Sequence, residues 1–283
     1  MRRKVGFLGF LVLGSAAIPL PAASGDFAAG MKAYSAGDYG AAARDWLPLA
    51  ESGVAEAQYR LGFMCENGLG VPTDPAEAAK WYRMASNQGN SHAAFHLGML
   101  YRNGRGVSKD PSEAMKLFRA AAQHGEPAAL TQIATMYFNG ESVPKDHGEA
   151  VDWFKRAAQQ GDVTAQVWLA EIFQNGDGVP QNDREAVRWF ELAADRGDAT
   201  AQFQLASFYF RGIVVPRDNV QAYMWSELAA RKSYPLAAKF REFLGKGMAA
   251  GEVAEAKRRA NEWKPGHGAA SPGSEDRGSA TPN

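Results

Sequence analysis

The stretch Ser91–Glu126 reads SHAAFHLGMLYRNGRGVSKDPSEAMKLFRAAAQHGE, two short helical patterns joined by a Gly-rich turn. Shifting its residue numbers by 36 returns the same chemistry. Gly125 has counterparts at Gly53, Gly89, Gly161 and Gly197, and Gly104 at Gly68, Gly140, Gly176 and Gly212. Another column holds Trp81, Trp153, Trp189 and Trp225, with Leu117 in the quoted unit. A fixed period of this length marks a stacked helical array, in which each hairpin hides its apolar side only against its neighbours. The expected fold is all-α, a solenoid of stacked antiparallel helix hairpins.

Within the unit, Ala93, Leu97 and Tyr101 recur every four residues and so share one helix face. Gly98 stands beside them, in a column with Gly62, Ala134, Ala170 and Ala206, where a small side chain lets a neighbouring helix come close. Asn103-Gly104 ends the first helix, because glycine accepts the positive φ of a C′ position. Asp110 and Glu113 have the spacing of a capping box, repeated at Asp74/Glu77, Asp146/Glu149, Asn182/Glu185 and Asp218/Gln221. These acids are therefore read as helix caps, worth about 1 kcal/mol each, and not as catalytic pairs. Ala114, Phe118 and Ala121 then face inward, and Gly125 closes the second helix.

Working outward, five full units span approximately 54–89, 90–125, 126–161, 162–197 and 198–233. Residues 25–53 form a shorter hairpin, with stripes Phe27/Met31/Tyr34 and Ala42/Trp46/Leu49/Ala50, that caps the first face. Residues 234–264 are expected to supply C-terminal capping helices, and 265–283, rich in Gly, Ser, Pro and Ala, a disordered tail. At the other end, residues 1–24 read as a cleaved signal peptide: Arg2, Arg3 and Lys4, an apolar run from Val5 to Ile18, then Ala22-Ala23-Ser24. As a helix that run measures about 21 Å, short of the roughly 30 Å hydrocarbon core. Export to a bacterial periplasm is expected, with no transmembrane segment in the mature chain.

The 31 basic and 31 acidic residues cancel, which argues against nucleic acid as a partner. From Arg231 to Lys264, however, nine basic residues face four acidic ones. The plain reading is a solvated capping surface; the sharper one is weak contact with an anionic envelope polymer. Cys65 is the only cysteine, so no disulfide can form within the chain. Its column holds Tyr101, Tyr137, Phe173 and Tyr209, and it is read as a core residue.

The repeated residues Ala93, Leu97, Gly98, Tyr101, Gly104, Gly106, Val107, Asp110, Ala114, Leu117, Phe118, Ala121, Ala122 and Gly125 resemble the Sel1-like repeat family, a relative of tetratricopeptide repeats. The resemblance runs five times over, from about Ala57 to Ala230. Ser142 and Val214 replace the second loop glycine, so those two loops are expected to differ in shape, and Leu117 replaces the usual tryptophan. The resemblance implies a right-handed α-solenoid and, for most members, an adaptor role, including in envelope signalling and secretion. A cysteine-rich branch acts on penicillins, but it relies on a disulfide in each repeat, which the lone Cys65 does not allow.

Enzymatic motifs are not found. There is no Gly-x-x-x-x-Gly-Lys-Ser/Thr loop, no Gly-x-Ser-x-Gly elbow and no His-Glu-x-x-His. Gly68-Leu69-Gly70 and its copies follow a helix, not the strand that dinucleotide binding requires. His92 and His96, four apart, could share a metal, but no third ligand stands at a matching spacing, so surface histidines are the preferred reading. No catalytic residue, cofactor or metal is assigned.

What varies from unit to unit is a stripe along the first helices, the face that lines the concave surface in helical solenoids. Its candidate partner-binding residues are Arg60, Phe63 and Asn67; His92, His96, Met99 and Asn103; Gln132, Thr135 and Asn139; Trp168, Glu171 and Asn175; and Gln204 and Arg211. Phe63, Met99 and Trp168 are either packed against a neighbouring helix or anchors for a bound segment. The expected function is a non-catalytic scaffold binding a protein or peptide in the bacterial envelope. The alternative is an envelope protein that binds or hydrolyses cell wall or β-lactam.

Overall fold

A computed structural model describes residues 26–266; the expected signal peptide and all but the first two residues of the expected tail lie outside them. The described residues form fourteen helices and no strand. The first hairpin is α1 (Phe27–Ser35) with α2 (Tyr39–Glu51). Then come α3 (Ala55–Asn67) with α4 (Pro75–Ser86), α5 (Ser91–Asn103) with α6 (Pro111–Gln123), and α7 (Pro127–Asn139) with α8 (His147–Gln159). The last full units are α9 (Val163–Asn175) with α10 (Asp183–Asp195) and α11 (Ala199–Arg211) with α12 (Asn219–Arg231). After these stand α13 (Ala237–Lys246) and α14 (Ala250–Glu262). From α1 to α13, each helix packs on the next, so the hairpins stack in chain order. None of the described helices is long and apolar enough to cross a membrane.

The boundaries follow from the capping residues. Asp110 starts α6 by accepting the N–H groups of Ser112 and Glu113 at 3.0 Å, and Asp74 and Asn182 cap α4 and α10 in the same way. The second half of the expected capping box is not made at these helices. Glu77, Glu113 and Glu185 turn outward to Lys80, Lys116 and Arg188, one helical turn on. An exposed acid gains an ion pair there without losing hydration, which competes with bending back over the cap. A reach-back of this kind occurs instead at α14, where the Ala249 N–H donates to Glu252 at 2.9 Å.

The first helices end in left-handed glycine, as Gly104 does with φ 68°. At the second loop position Ser142 and Val214 take φ 69° and 67°, matching Gly106 at 69°. The expectation of differently shaped loops is thus corrected: the backbone geometry at this position is kept, and the two L residues carry its strain. The following residue pins the loop: Val107, Val143, Val179 and Val215 all pack against the apolar cores. A Cβ on Gly106 would run into the backbone of Pro75 and Ala76, so the loop is pressed against the start of the preceding unit's second helix.

Each of the first five hairpins closes around one fully buried large side chain, Trp46, Tyr82, Phe118, Phe154 and Phe190 in turn, while the α11–α12 hairpin has the buried Ser226 at this position. Opposite each is the small-residue column. A Cβ on Gly98 would stand 2.7 Å from the Phe118 ring, and one on Gly62 equally close to Tyr82. Burying such a ring stabilises by roughly 1.5–3 kcal/mol. The apolar clusters do not stop at the unit boundary. Ala114, Met115, Phe118 and Ala121 share one core with Ala129, Ile133 and Met136 of the next unit. Buried glutamines add polar ties across the seams: Gln58 donates to the Ala50 carbonyl at 2.9 Å, Gln166 to Ala158 and Gln202 to Ala194, both at 3.2 Å. Each adds a second hydrogen bond to a last-turn carbonyl that already accepts the N–H of Gly53, Gly161 or Gly197.

At the C-terminus α13 and α14 both pack on α12, with Ala256 and Ala260 buried and Trp263 set edge-on to Trp225. Pro265 and Gly266, assigned to the tail from sequence, form a turn, and the Gly266 N–H donates to the Asp195 carbonyl at 3.0 Å. Cys65 also departs from expectation. It packs against the core that holds Leu97 but is only half-buried, as are the rings of its column in later units, and it borders an open cavity.

Candidate functional site

The stripe read from the sequence lies along α3, α5, α7, α9 and α11, and the structure splits it into two layers. The inner layer is engaged within the stack, partly between units and partly along its own helices. Phe63 is half-buried against the core containing Leu97, and Met99 against the core containing Phe118. Trp168 stacks on Phe154 of the preceding unit, centroids 5.5 Å apart and planes 14° apart, and touches Phe138 at 5.4 Å. Thr135 donates to the Thr131 carbonyl at 2.8 Å, and Gln132 accepts from Arg102. Gln204 is half-buried. Arg60 pairs with Glu56 at 2.8 Å and lies over the Tyr59 ring.

The outer layer is exposed: Asn67, His92, Asn103, Asn139, Asn175 and Arg211. Three of its asparagines close the helix end. Asn67 donates to the Phe63 carbonyl at 2.8 Å, Asn139 to Glu141 at 2.9 Å and Asn175 to Asp177 at 3.3 Å. Apart from His92 at the start of α5, these exposed groups are the last residues of the first helices, with packed apolar residues on the same helices.

The densest polar cluster straddles the first two full units and centres on Glu66, which sequence reasoning passed over. Its carboxylate accepts from the Tyr82 hydroxyl at 2.8 Å and stands 3.3 Å from both His96 Nδ1 and Arg105 Nη1. Burial raises the Glu66 carboxyl, but the hydrogen bonds from His96 and Tyr82 and the charges of His96 and Arg105 outweigh it and hold it below the usual range. Burial, with Glu66 alongside, pushes the Tyr82 phenol well up. His96 is not a plain surface histidine. Its ring stacks on Tyr82 at 5.2 Å and meets Phe63 and Phe95 edge-on. The signal was present in the column itself: Glu66 is followed at the same position by Arg102, Phe138, Gln174 and Phe210.

A second seam is tied by Arg102, which forks onto Glu141 at 2.8 and 2.9 Å and holds that carboxyl below its usual range. In the fourth unit Glu171 differs. Half-buried, with Asp198 nearby, its carboxyl is raised by burial first and by that like charge second.

His92 and His96 turn to separate acids, His92 Nδ1 to Glu126 at 2.6 Å and His96 to Glu66. Among the described residues no group of three His, Cys, Asp or Glu side chains is placed to hold a metal ion. Burial, with Glu77 and Asp74 nearby, pushes the Cys65 thiol up, away from the thiolate a nucleophile requires.

The Sel1 repeat model matches five successive segments, residues 55–90, 91–126, 127–162, 163–198 and 199–234. This chain belongs to the Sel1 repeat family. The matched frame starts one residue later than the units read from the sequence, on the first residue of each first helix. A Sel1 repeat protein from Oxalobacter formigenes is 32% identical in a solved structure covering 84% of this chain and 100% of that one, with a TM-score of 0.74. A protective antigen of uropathogenic Escherichia coli displaying an SLR fold is 26% identical over 84% of this chain and 60% of its own, TM-score 0.53. One unit's length of this Sel1 protein, 36 residues, is 53% identical to a chitin synthase regulator of Malassezia restricta. That match spans 13% of this chain and 2% of the regulator, so it is a likeness of one repeat. The Sel1 scaffold, a fold typically given to protein–protein interaction, is thereby established for residues 55–234.

Proposed function

We propose that this Sel1 protein is an exported, non-catalytic adaptor of the bacterial envelope, binding a protein or peptide across its first helices in signalling or assembly. The observation that carries the reading is the layered stripe. Asn67, Asn103, Asn139, Asn175 and Arg211 stand in one row at the ends of five stacked helices, with Phe63, Met99 and Trp168 on the same helices and His92 at the start of α5. An extended partner meets repeated hydrogen-bonding groups at the spacing of the units, with half-buried aromatic surface on the same helices. The export half of the reading is supported by the basic, apolar and small-residue layout of residues 1–24.

The basic C-terminal cap gives only a weak additional contact with an anionic polymer. Arg231 and Arg241 are paired with Glu227, Arg258 and Arg259 with Glu255, leaving Lys239 and Lys257 among the exposed cations. In-cell photo-crosslinking tests the docking face. A photoreactive residue at His92 or Asn103 is expected to give a discrete adduct in the periplasmic fraction, whereas one at Lys116 on α6 is not. Equal adducts from both faces, or a cytosolic protein with residues 1–24 intact, would overturn the proposal.

A further inference from the structure

The aromatic column in which Cys65 stands is filled in every later unit. Tyr101, Tyr137, Phe173 and Tyr209 each pack, half-buried, against the apolar core of the stack. Two of these rings are latched from the preceding second helix: Arg83 donates to the Tyr101 hydroxyl, and Arg119 to that of Tyr137 at 3.0 Å. In the first full unit both halves of this pair are changed together. Cys65 stands where the ring belongs, and Leu47 on α2 where Arg83 stands one unit later.

The loop frame around the position is kept, although Trp81 and Arg44 stand where the next unit has Leu117 and Lys80. The loop presses on the preceding second helix in both units, Gly70 against Tyr39 and Gly40 as Gly106 is against Pro75 and Ala76. With the frame kept and the ring absent, an open cavity of about 370 Å³ is left, lined by Arg44, Leu47, Leu61, Cys65, Val71 and Trp81. Leu47 is 42% exposed at its edge. Arg44 is exposed and makes no ion pair among the described residues. Leu61 and Cys65 lie on a different face of α3 from Arg60, Phe63 and Asn67, so this cavity is separate from the stripe and stands whether or not that docking reading holds.

We propose that the cavity receives one aromatic side chain of a partner peptide, in the place that the chain's own tyrosine takes in the next unit, with a neighbouring carboxylate of that peptide meeting Arg44. The walls supply what a ring needs: aliphatic carbon from Leu47, Leu61 and Val71, the indole of Trp81 and the polarizable sulfur of Cys65. The raised thiol pKa agrees with a neutral wall, not a reactive one. Arg44 gives the apolar slot a charge preference, since an unpaired guanidinium accepts a carboxylate fork without first breaking another pair.

The test titrates acetyl-Phe-Asp-amide into the full chain and follows the Trp81 indole N–H by NMR. A saturable shift is expected, weaker by about tenfold for acetyl-Leu-Asp-amide and severalfold weaker for acetyl-Phe-Asn-amide. Cys65→Tyr restores the column's ring and is expected to remove the shift. Should that variant fail to fold, Leu47→Arg, which restores the other half of the pair, is expected to do the same. Lack of a saturable shift in the wild type, equal binding of the leucine peptide, or unchanged binding in the substituted protein would overturn the proposal.

Discussion

The His96 imidazole of one unit stands 3.3 Å from the Glu66 carboxylate of the preceding unit, with the Tyr82 ring stacked beneath it. Glu66 therefore ties three helices, α3, α4 and α5, at a single seam. Its folded pKa lies below its ordinary value, so the stability it contributes is fully present above about pH 4.3 and is lost as pH falls through the depressed value. Glu66→Gln is expected to cost about 1 kcal/mol at neutral pH and to flatten the acid limb of stability against pH. Urea unfolding of both proteins from pH 3 to 7 checks this; parallel acid limbs would remove Glu66 from the account.

Gly98 faces Phe118 with no room for a Cβ, since the ring stands 2.7 Å from where it would lie. Alanine normally stabilises a helix interior by up to about 1 kcal/mol over glycine, but here the fully buried ring must shift. Gly98→Ala is expected to destabilise by about 1 kcal/mol net. Adding Phe118→Leu should make the pair less costly than the sum of the single changes, a coupling that a double-mutant cycle reads directly.

Val214 holds φ 67°, a conformation that costs a β-branched residue of order 1–2 kcal/mol. Val214→Gly is expected to stabilise the chain by about 1 kcal/mol after the entropy lost by the added glycine is counted. Thermal unfolding should show a higher midpoint; an unchanged or lower one would mean that the loop does not hold this conformation in solution.

The stack was legible because its determinants repeat. Trp81, Gly104, Asp110 and Phe118 and their copies occupy fixed columns, and any residue that recurs every 36 positions must serve the hairpin itself. The site was legible only in outline. Arg102 reaches Glu141 across 39 positions and Asn90 reaches Glu56 across 34, so contacts across a seam fall at offsets the repeat does not fix. The inner layer of the stripe was open in the sequence because helical spacing gives a face, not how far the next unit covers it; Trp168 on Phe154 shows how much. Cys65 was read as core and does pack against one, but aromatic neighbours in a column do not tell how far that column is covered: every member is half-buried, and the short thiol leaves a cavity beside it.

The claim that the first helices form the docking face is tested most directly by hydrogen exchange on the partner complex captured in cells, compared with the free chain. The account predicts slowed exchange at the C-terminal ends of α3, α5, α7 and α9, around Asn67, Asn103, Asn139 and Asn175, with α4, α6, α8 and α10 unchanged. Protection confined to those second helices would contradict it.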